Sequence, residues 1–206
     1  MLIGVLGGTF DPVHLGHLAA AEAVRDSVGL DQVLFVPNWH QPLKLRAPAA
    51  GSESRRRMLD AAIRDNPGFA LDDVELRLGR PAYTIETLDI LRLRRPTDRL
   101  RFILGVDALI QFAAWREPRR LIEEYAPIAM LRAGWPGPDW RALRALHPDS
   151  DRLIRVIEVP GLDIASRDIR ARVAAGQSIR YLVPEAVREV IRREGLYRLD
   201  ARLPGQ

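Results

Sequence analysis

Short apolar runs rich in β-branched residues alternate along the chain with longer stretches in which apolar residues recur every three or four positions. The short runs are typical of buried parallel strands, and the longer stretches predict amphipathic helices. Strands are predicted over 2–6, 32–36, 100–104, 127–131 and 153–159, with a looser alternation over 69–78 as a further candidate. Helices are predicted over 15–28, 53–65, 84–95, 107–112, 139–146, 166–175 and 184–194.

This order of elements predicts an α/β fold, a Rossmann-like doubly wound parallel sheet with helices on both faces. The length suits a single domain over 1–206, in which 163–198 form a C-terminal helical portion. In such sheets, ligands bind at the carboxyl ends of the strands. We therefore expect the functional residues in the loops that follow the strands.

Individual residues mark the expected ends of several helices. Ser166 and Thr84 are candidate N-caps, and Pro184 suits a first helical position. Gly176 and Gly195 are typical of residues that stop a helix. These positions fix where backbone N–H groups are left free for a ligand.

The composition narrows the class of protein. Of the 206 residues, 47% are hydrophobic and 28% are charged, which suits a globular domain with a real core. The chain has no cysteine, which excludes disulfides and thiolate metal sites. No apolar run reaches the roughly 18 residues of a membrane-spanning helix, and the apolar start over 1–6 has no basic leader. We expect a cytoplasmic protein without a membrane partner.

The basic residues are spread along the chain, and the net charge is +4. Clusters such as Arg55-Arg56-Arg57 lie in helical patterns and indicate solvated faces, so nucleic acid is not an expected partner. Lys44 is the only lysine, and it lies in a long loop over 37–52 that we expect to bind ligand. Its compact charge makes it a candidate phosphate contact.

The segment from Gly7 to His17 reads Gly-Gly-Thr-Phe-Asp-Pro-Val-His-Leu-Gly-His and joins the first strand to the first helix. Two glycines let backbone N–H groups approach a ligand, and a helix N-terminus attracts anions. His14 and His17 are three positions apart, so both imidazoles lie on one helix face, with Gly16 leaving space above it. Such donors suit a polyphosphate that gains charge in a transition state.

Two other interpretations of this histidine pair are a pair of ordinary surface histidines and a zinc site. Two of the four histidines in the chain fall in this one loop, which argues against chance placement. Asp11 is the one nearby carboxylate at ligand spacing. We therefore expect no metal site formed by the protein.

The segment resembles the hallmark of the HxGH nucleotidyltransferase superfamily. More narrowly, the chain resembles the bacterial nicotinate-nucleotide adenylyltransferases over nearly its whole length, whereas pantetheine-phosphate adenylyltransferases carry Thr where His14 stands. The ATP-binding residues that this resemblance implies in the first loop are Gly7, Gly8, Thr9, Phe10, His14 and His17.

The segment 37–44, Pro-Asn-Trp-His-Gln-Pro-Leu-Lys, resembles the second-strand loop of that family. The resemblance implies that Asn38 and Lys44 bind the mononucleotide, with Lys44 facing the phosphates. Gln41 and Leu43 depart from the family pattern, which has a proline pair and a histidine there. Any contact made by that histidine is therefore absent.

Further segments resemble the rest of the mononucleotide site. Tyr83 and Thr84 open Tyr-Thr-Ile-Glu-Thr-Leu, similar to the family's Tyr-Thr-x-x-Thr-Leu, and imply that N–H groups at a helix start hold the nicotinate carboxylate. Trp115 is implied to stack on the pyridine ring. Arg132 ends a predicted strand and is implied to lie near the mononucleotide phosphate.

Two segments resemble the nucleotide side of the site. Gly105 and Asp107 match the family's Gly-x-Asp, which implies room for the nucleotide and hydrogen bonds to the ATP ribose. Ser166 and Arg170 lie in Ile-Ala-Ser-Arg-Asp-Ile-Arg, similar to a family motif that holds ATP phosphates. Ala and Arg replace the usual Ser and Thr on either side of Ser166, so two hydroxyl contacts are in question.

Together these segments imply adenylyl transfer from ATP to nicotinate mononucleotide, giving deamido-NAD and pyrophosphate in NAD biosynthesis. With no cysteine and no serine in a nucleophile elbow, direct in-line displacement is expected. The catalytic residues would be His14, His17, Lys44 and Arg170. Mg²⁺ is expected to arrive with ATP, not in a carboxylate cage of the protein.

Two rival functions were weighed. Another enzyme of the superfamily would use pantetheine phosphate or glycerol phosphate with ATP or CTP, but Thr84 and Trp115 argue against an acceptor without an aromatic ring. A non-catalytic RNA-binding module on the same fold has only the altered 165–167 stretch and the arginine excess in its favour. The sequence leaves the oligomeric state open, and a homo-oligomer is compatible with it.

Overall fold

The computed structural model describes residues 1–40 and 47–198. Within these residues, six parallel strands form one sheet in the order β3-β2-β1-β4-β5-β6. The strands are β1 Leu2–Gly8, β2 Gln32–Pro37, β3 Phe69–Leu71, β4 Arg99–Gly105, β5 Ile128–Arg132 and β6 Arg155–Val159. The five regular predicted strands are confirmed to within two residues at either end.

Helices connect the strands and cover both faces of the sheet. They are α1 Leu15–Val28, α2 Ser52–Ile63, α3 Val74–Leu78, α4 Thr84–Arg94, α5 Val106–Leu109, α6 Pro118–Tyr125, α7 Trp140–Leu146, α8 Ser150–Leu153, α9 Ser166–Ala174 and α10 Glu185–Arg193, with a 3₁₀ turn over Phe112–Ala114. The predicted doubly wound architecture is therefore confirmed.

Alternate residues of each strand point to opposite faces, and each face has its own core. Ile3 and Val5 belong to the core under α4 and α6, whereas Leu6 and Phe35 belong to the core under α1, α2 and α10. The buried Ile169 of α9 lies in the second of these cores. The C-terminal helices thus complete one covered face of the sheet.

The looser alternation over 69–78 was wrongly proposed as one strand. Only three residues pair in β3, and α3 follows after Asp72 and Asp73. The Asp72 carboxylate accepts a hydrogen bond from the Val74 N–H at 2.9 Å, a local bond that competes with strand pairing. The predicted helix over 107–112 is likewise shorter, because it is divided into α5 and the 3₁₀ turn.

Helix α6 is absent from the predicted helices, although its sequence carries the signals of one. Pro118 occupies its first position, and Leu121, Ile122 and Tyr125 are buried at helical spacing. The residue before it, Glu117, has a φ of +51°, which turns the chain sharply into the helix.

Two predicted N-caps are one residue off. Ser166 is the first residue of α9, and its hydroxyl donates to the Pro12 carbonyl at 2.9 Å instead of capping the helix. Thr84 is the first residue of α4, with Tyr83 as the N-cap. Pro184 is itself an N-cap and not a first helical residue.

The two predicted helix stops are confirmed. Gly176 and Gly195 follow α9 and α10 with φ values of +68° and +64°, a left-handed conformation that favours glycine.

The order of the strands places a switch point between β1 and β4, because the chain leaves these two neighbours toward opposite ends of the sheet. Loops that diverge there open a crevice at the carboxyl ends of the strands. The first-loop motif and the Gly105–Asp107 segment both begin at this edge.

Candidate active site

A cavity of about 600 Å³ opens at the switch point. It gathers residues from distant parts of the sequence, including most of those singled out above. The predicted site residues that line it are Gly7, Gly8, Phe10, His14, His17, Asn38, Tyr83, Thr84, Gly105, Asp107, Trp115 and Arg132. A cavity of this size falls in the usual range of small-molecule sites.

The two histidines form a stacked pair at the start of α1. His14 is the N-cap and His17 lies three residues on, and their ring centroids are 3.6 Å apart with an interplanar angle of 25°. A Cβ on Gly16 would lie 3.1 Å from the His14 Nδ1, so any larger residue there would crowd this ring. Phe10 is buried and packs edge-on against His17 at 5.3 Å, which fixes the second ring.

Hydrogen bonding sets the tautomer of His17. Its Nδ1 accepts a hydrogen bond from the His14 backbone N–H at 3.3 Å, so a neutral ring carries its proton on Nε2. The buried Nδ1 of His14 has no hydrogen-bond partner among the residues of 1–40 and 47–198. A buried polar atom left unpaired in a cavity wall is a natural place for a ligand to bind.

Both histidines are neutral at neutral pH. Burial, and then the positive charge of Arg132, lower the pKa of His14 to about 4. Burial also holds the pKa of His17 well below its usual range, with His14 and Arg132 adding to the effect. The pair therefore offers a ligand neutral N–H donors at the positive end of a helix dipole.

We expect the free energy of unfolding of the ligand-free protein to fall as the pH drops from about 6.5 to about 4, partly because of His14. In this window an unfolded chain binds a proton at His14 and the folded chain does not, so stability rises with pH. The contribution is on the order of 3 kcal/mol over the whole window. Urea unfolding at pH 7 and pH 4.5 of the wild type and of His14→Gln measures it. A variant with an undiminished pH dependence would contradict the buried neutral state.

Asn38 directly follows β2 and lines the cavity. It is 7% exposed, and its Oδ1 has no hydrogen-bond partner within the described part of the chain. Its backbone N–H donates to the Gly8 carbonyl at 2.9 Å, which ties it to the first loop. The free amide oxygen is therefore held in place, ready to accept a hydrogen bond.

The start of α4 and Trp115 also line the cavity. The Glu86 carboxylate accepts a hydrogen bond from the Tyr83 N–H, and the N–H groups of the first turn of α4 have no intrahelical partner. Trp115 packs against Phe112 and Phe102 at ring distances of 5.3 and 5.8 Å, and it also lines the cavity. The cavity therefore has both free backbone N–H donors and a supported aromatic ring in its lining.

Asp107 and Arg132 place one charge of each sign on the rim. A Cβ on Gly105 would overlap with the Asp107 carboxylate, so this glycine allows Asp107 to fold back over the end of β4. Arg132 is exposed at the end of β5, 5.9 Å from the Trp135 ring centroid.

Three of the predicted ATP contacts do not line the cavity. Arg170 donates to the Asp11 carbonyl at 2.7 Å, and the Ser166 hydroxyl is bonded to Pro12. Thr9 also lies outside the lining, and Lys44 falls outside the described residues. Arg170 and Ser166 thus donate hydrogen bonds to backbone carbonyls of the first loop. Their contacts with a nucleotide stay predictions.

The cavity also contains polar residues that the sequence did not single out. Glu75, Thr87, Arg116 and Gln111 line it. Glu75 is 8% exposed, and burial raises the pKa of its carboxyl group. A charged residue among the apolar positions of a short helix is a weak signal, since the same pattern is common on solvated helices.

In the described ranges, no group of three or more His, Asp or Glu side chains is arranged to hold a metal ion. No helix formed by residues 1–40 and 47–198 has the length and apolar character that crossing a membrane requires.

Comparison with known proteins agrees with the geometry of the site. A family profile described as "Cytidylyltransferase-like" matches residues 5–172. A protein of Rubrobacter xylanophilus named "Probable nicotinate-nucleotide adenylyltransferase" is 43% identical, over 98% of this chain and 94% of its own. A protein of Roseiflexus sp. with the same name is also 43% identical, over 95% of this chain and 98% of its own.

Among solved structures, the nicotinic acid mononucleotide adenylyltransferase of Plasmodium falciparum complexed with NaAD superposes with a TM-score of 0.74 at 18% identity, covering 95% of this chain and 96% of that one. This likeness supports the fold. The matches in sequence go further: the chain belongs to the cytidylyltransferase-like family and, within it, to the nicotinate-nucleotide adenylyltransferases.

Proposed function

We propose that this protein transfers the adenylyl group of ATP to nicotinate mononucleotide, giving deamido-NAD and pyrophosphate. The observation that carries the proposal is that one cavity holds two different kinds of binding surface. The stacked neutral histidines lie at the start of α1, and an aromatic platform and the start of α4 line the same cavity. The first surface suits a polyphosphate, and the second suits a flat anionic ring.

The reaction is a direct displacement. A phosphate oxygen of the mononucleotide forms a bond to the α-phosphorus of ATP, and the bond from that phosphorus to the bridging oxygen of pyrophosphate breaks. The attacking phosphate is already anionic and needs no general base. Catalysis then consists of positioning the two phosphates and stabilising charge on their oxygens.

The histidines would supply that stabilisation as hydrogen-bond donors. His17 carries its proton on Nε2, and His14 lies stacked against it, so both can donate to phosphate oxygens of ATP. Arg132 would hold the mononucleotide phosphate, with Lys44 and Arg170 as further cations. Asp107 would accept hydrogen bonds from the ATP ribose, beside Gly105.

Mg²⁺ would enter with ATP, since it prefers phosphate oxygens and water as ligands. When bound, it neutralises charge on the leaving pyrophosphate. The residues of this chain act on the phosphates directly.

The acceptor would be selected at α4. N–H groups in the first turn of the helix favour an anionic carboxylate over a neutral carboxamide. Trp115 offers its face to the electron-poor pyridine ring. Nicotinate mononucleotide is therefore the expected acceptor, and its nicotinamide counterpart a poor one.

The test is pyrophosphate release from ATP and Mg²⁺, with nicotinate mononucleotide and nicotinamide mononucleotide in parallel reactions. Fast release with the acid and little with the amide is expected. Release with neither, from folded protein, would refute the acceptor. The next acceptor to test would then be pantetheine phosphate.

Replacing Trp115 by alanine is expected to raise the KM for the mononucleotide about tenfold, the scale of one aromatic stacking contact. The kcat should stay within about threefold of the wild-type value, because the ring is remote from the reacting phosphates. Trp140→Ala is the matched control, since Trp140 packs on the same core without lining the cavity. An unchanged KM for Trp115→Ala would rule out stacking.

A further inference from the structure

Arg55 is a buried arginine next to the cavity, and it makes no contact with a carboxylate. It lies in the first turns of α2 and is 1% exposed, the largest of the fully buried side chains. Among the described residues, no ion pair within 4 Å involves it. Its guanidinium instead donates to four backbone carbonyls, those of Thr9 at 2.8 Å, Asn38 at 2.8 Å, Trp39 at 3.2 Å and Ala50 at 3.3 Å.

These four carbonyls belong to three different segments. Thr9 lies in the loop that carries the histidine pair, Asn38 and Trp39 follow β2, and Ala50 precedes α2. The planar guanidinium reaches all three because its N–H groups point outward in a fixed fork. One side chain thus sets the spacing between the histidine loop and the end of β2.

Glu75 holds the same peptide group from the other side. Its carboxylate accepts a hydrogen bond from the Thr87 hydroxyl at 2.7 Å, and the nearby Trp39 backbone N–H favours its charged form and so lowers its pKa. The peptide between Asn38 and Trp39 therefore has its carbonyl hydrogen-bonded to Arg55 and its N–H beside the Glu75 carboxylate. Through Thr87, this second contact extends to α4, the helix beside the proposed nicotinate site.

Burying two charges is costly, and well-packed apolar residues usually stabilise a core at least as well. Arg55 and Glu75 do not contact each other as an ion pair; each uses its polar atoms on the backbone and side chains that shape the cavity wall. What they gain is a fixed position for the peptide that follows β2. Asn38 in that peptide lines the cavity and is tied to the histidine loop through the Gly8 carbonyl.

We propose that Arg55 and Glu75 are positioning residues for adenylyl transfer, which hold the Asn38–Trp39 peptide so that the two substrates meet in line. Neither residue needs to touch the reacting atoms. The inference rests on the proposed function, and it adds that the alignment of the two phosphates depends on this peptide. Displacements of about 1 Å at such a position can lower turnover on the order of 10²-fold.

The kinetic test is Arg55→Lys, which keeps the charge but cannot serve four carbonyls. We expect kcat to fall about 10²-fold while the KM values for ATP and mononucleotide change less than about threefold. The matched control is Leu59→Ala, one turn further along α2 and fully buried in the core away from the cavity. It should lower the Tm at least as much as Arg55→Lys and leave kcat within about twofold.

A second variant and a second readout cover the case in which Arg55→Lys does not fold. Glu75→Gln keeps the shape of the side chain and removes its charge, and we expect about a tenfold loss of kcat. Hydrogen exchange of the Trp39 amide should be faster in Glu75→Gln than in Leu59→Ala, under conditions where both are folded. This measurement needs no turnover. It therefore tests whether Glu75 holds the Asn38–Trp39 peptide even if the wild type proves inactive with both mononucleotides.

The outcomes separate the two proposals. Loss of kcat in both Arg55→Lys and Glu75→Gln, with Leu59→Ala active, supports positioning. Equal losses in Leu59→Ala, or wild-type kcat in Arg55→Lys, would overturn it. Unaltered hydrogen exchange of the Trp39 amide in Glu75→Gln would overturn the claim that Glu75 holds the Asn38–Trp39 peptide. An inactive wild type would refute only the proposed function.

Discussion

Replacing His17 by alanine is expected to lower kcat for adenylyl transfer by about 10²-fold to 10³-fold, the scale on which one oxyanion-type donor contributes. The large effect is expected because the His17 ring is held in one tautomer. With Nδ1 occupied by the His14 backbone N–H, the neutral His17 ring has its proton on Nε2, where it can donate into the cavity. A donor that is fixed before the reaction loses no energy to reorganisation as charge builds on the phosphate.

The KM for ATP should change much less than kcat, because the donor acts mainly on charge that appears in the transition state. His17→Gln retains an N–H donor of similar reach and should recover part of the loss. His147→Ala is the control for the loss of any histidine, since His147 lies outside the cavity and is paired with Glu123. A change of less than about threefold in folded His17→Ala would refute the phosphate role.

The overall fold was predictable because the sheet is buried on both faces. Strands such as β2 and β4 appear as short runs of β-branched and aliphatic residues, and the helices between them keep their apolar spacing. Where this contrast weakens, the prediction fails. In 69–78 the alternation continues past β3, but Asp72 ends the strand through a bond to its own neighbouring backbone.

The histidine pair and the platform were also predictable, because they lie in contiguous motifs at strand ends. The three-residue spacing of His14 and His17 predicts two imidazoles close together, and the structure places their ring centroids 3.6 Å apart, with His14 as the extended N-cap. Trp115 and Arg132 were placed by resemblance, and the structure brings both to the same cavity.

The supporting network was not predictable, because its members are far apart in sequence and have no motif of their own. Arg55 appears in the sequence as one of three adjacent arginines on a helix, which indicates a solvated face. In the structure it is the buried one, while Arg56 and Arg57 form ion pairs with Glu53 at the surface. The structure, and not the sequence, distinguishes the buried Arg55 from the two surface arginines beside it.

Arg170 illustrates the converse case. Its place in the last motif implies a phosphate contact, yet its guanidinium is bonded to the Asp11 carbonyl in this structure. Two arginines at the start of α9 oppose the helix dipole, and a bound polyphosphate would remove that conflict. An ATP phosphate would therefore compete with the Asp11 carbonyl for the Arg170 guanidinium.

Replacing Asp11 by alanine is expected to lower the free energy of unfolding by about 3–5 kcal/mol, the usual scale for removing one partner from a buried charged network. Asp11 is 4% exposed, and its carboxylate accepts hydrogen bonds from the Ala49 N–H at 2.7 Å, the Ala50 N–H at 3.1 Å and the Tyr197 hydroxyl at 2.7 Å. Alanine would leave these donors unpaired in the interior, which is more costly than losing the bonds alone.

Urea unfolding at neutral pH measures the effect, provided that the m-value is unchanged. Tyr197→Phe removes one of the three donors and should cost about 1.5–3 kcal/mol, the scale of a hydrogen bond to a charged group. Asp60→Ala is the control, because Asp60 is exposed and forms only a surface pair with Arg64. An Asp11→Ala loss below about 1 kcal/mol would show that water or a shifted backbone satisfies these donors. Asp11 would then not join the first loop to the segment after α10 that contains Tyr197.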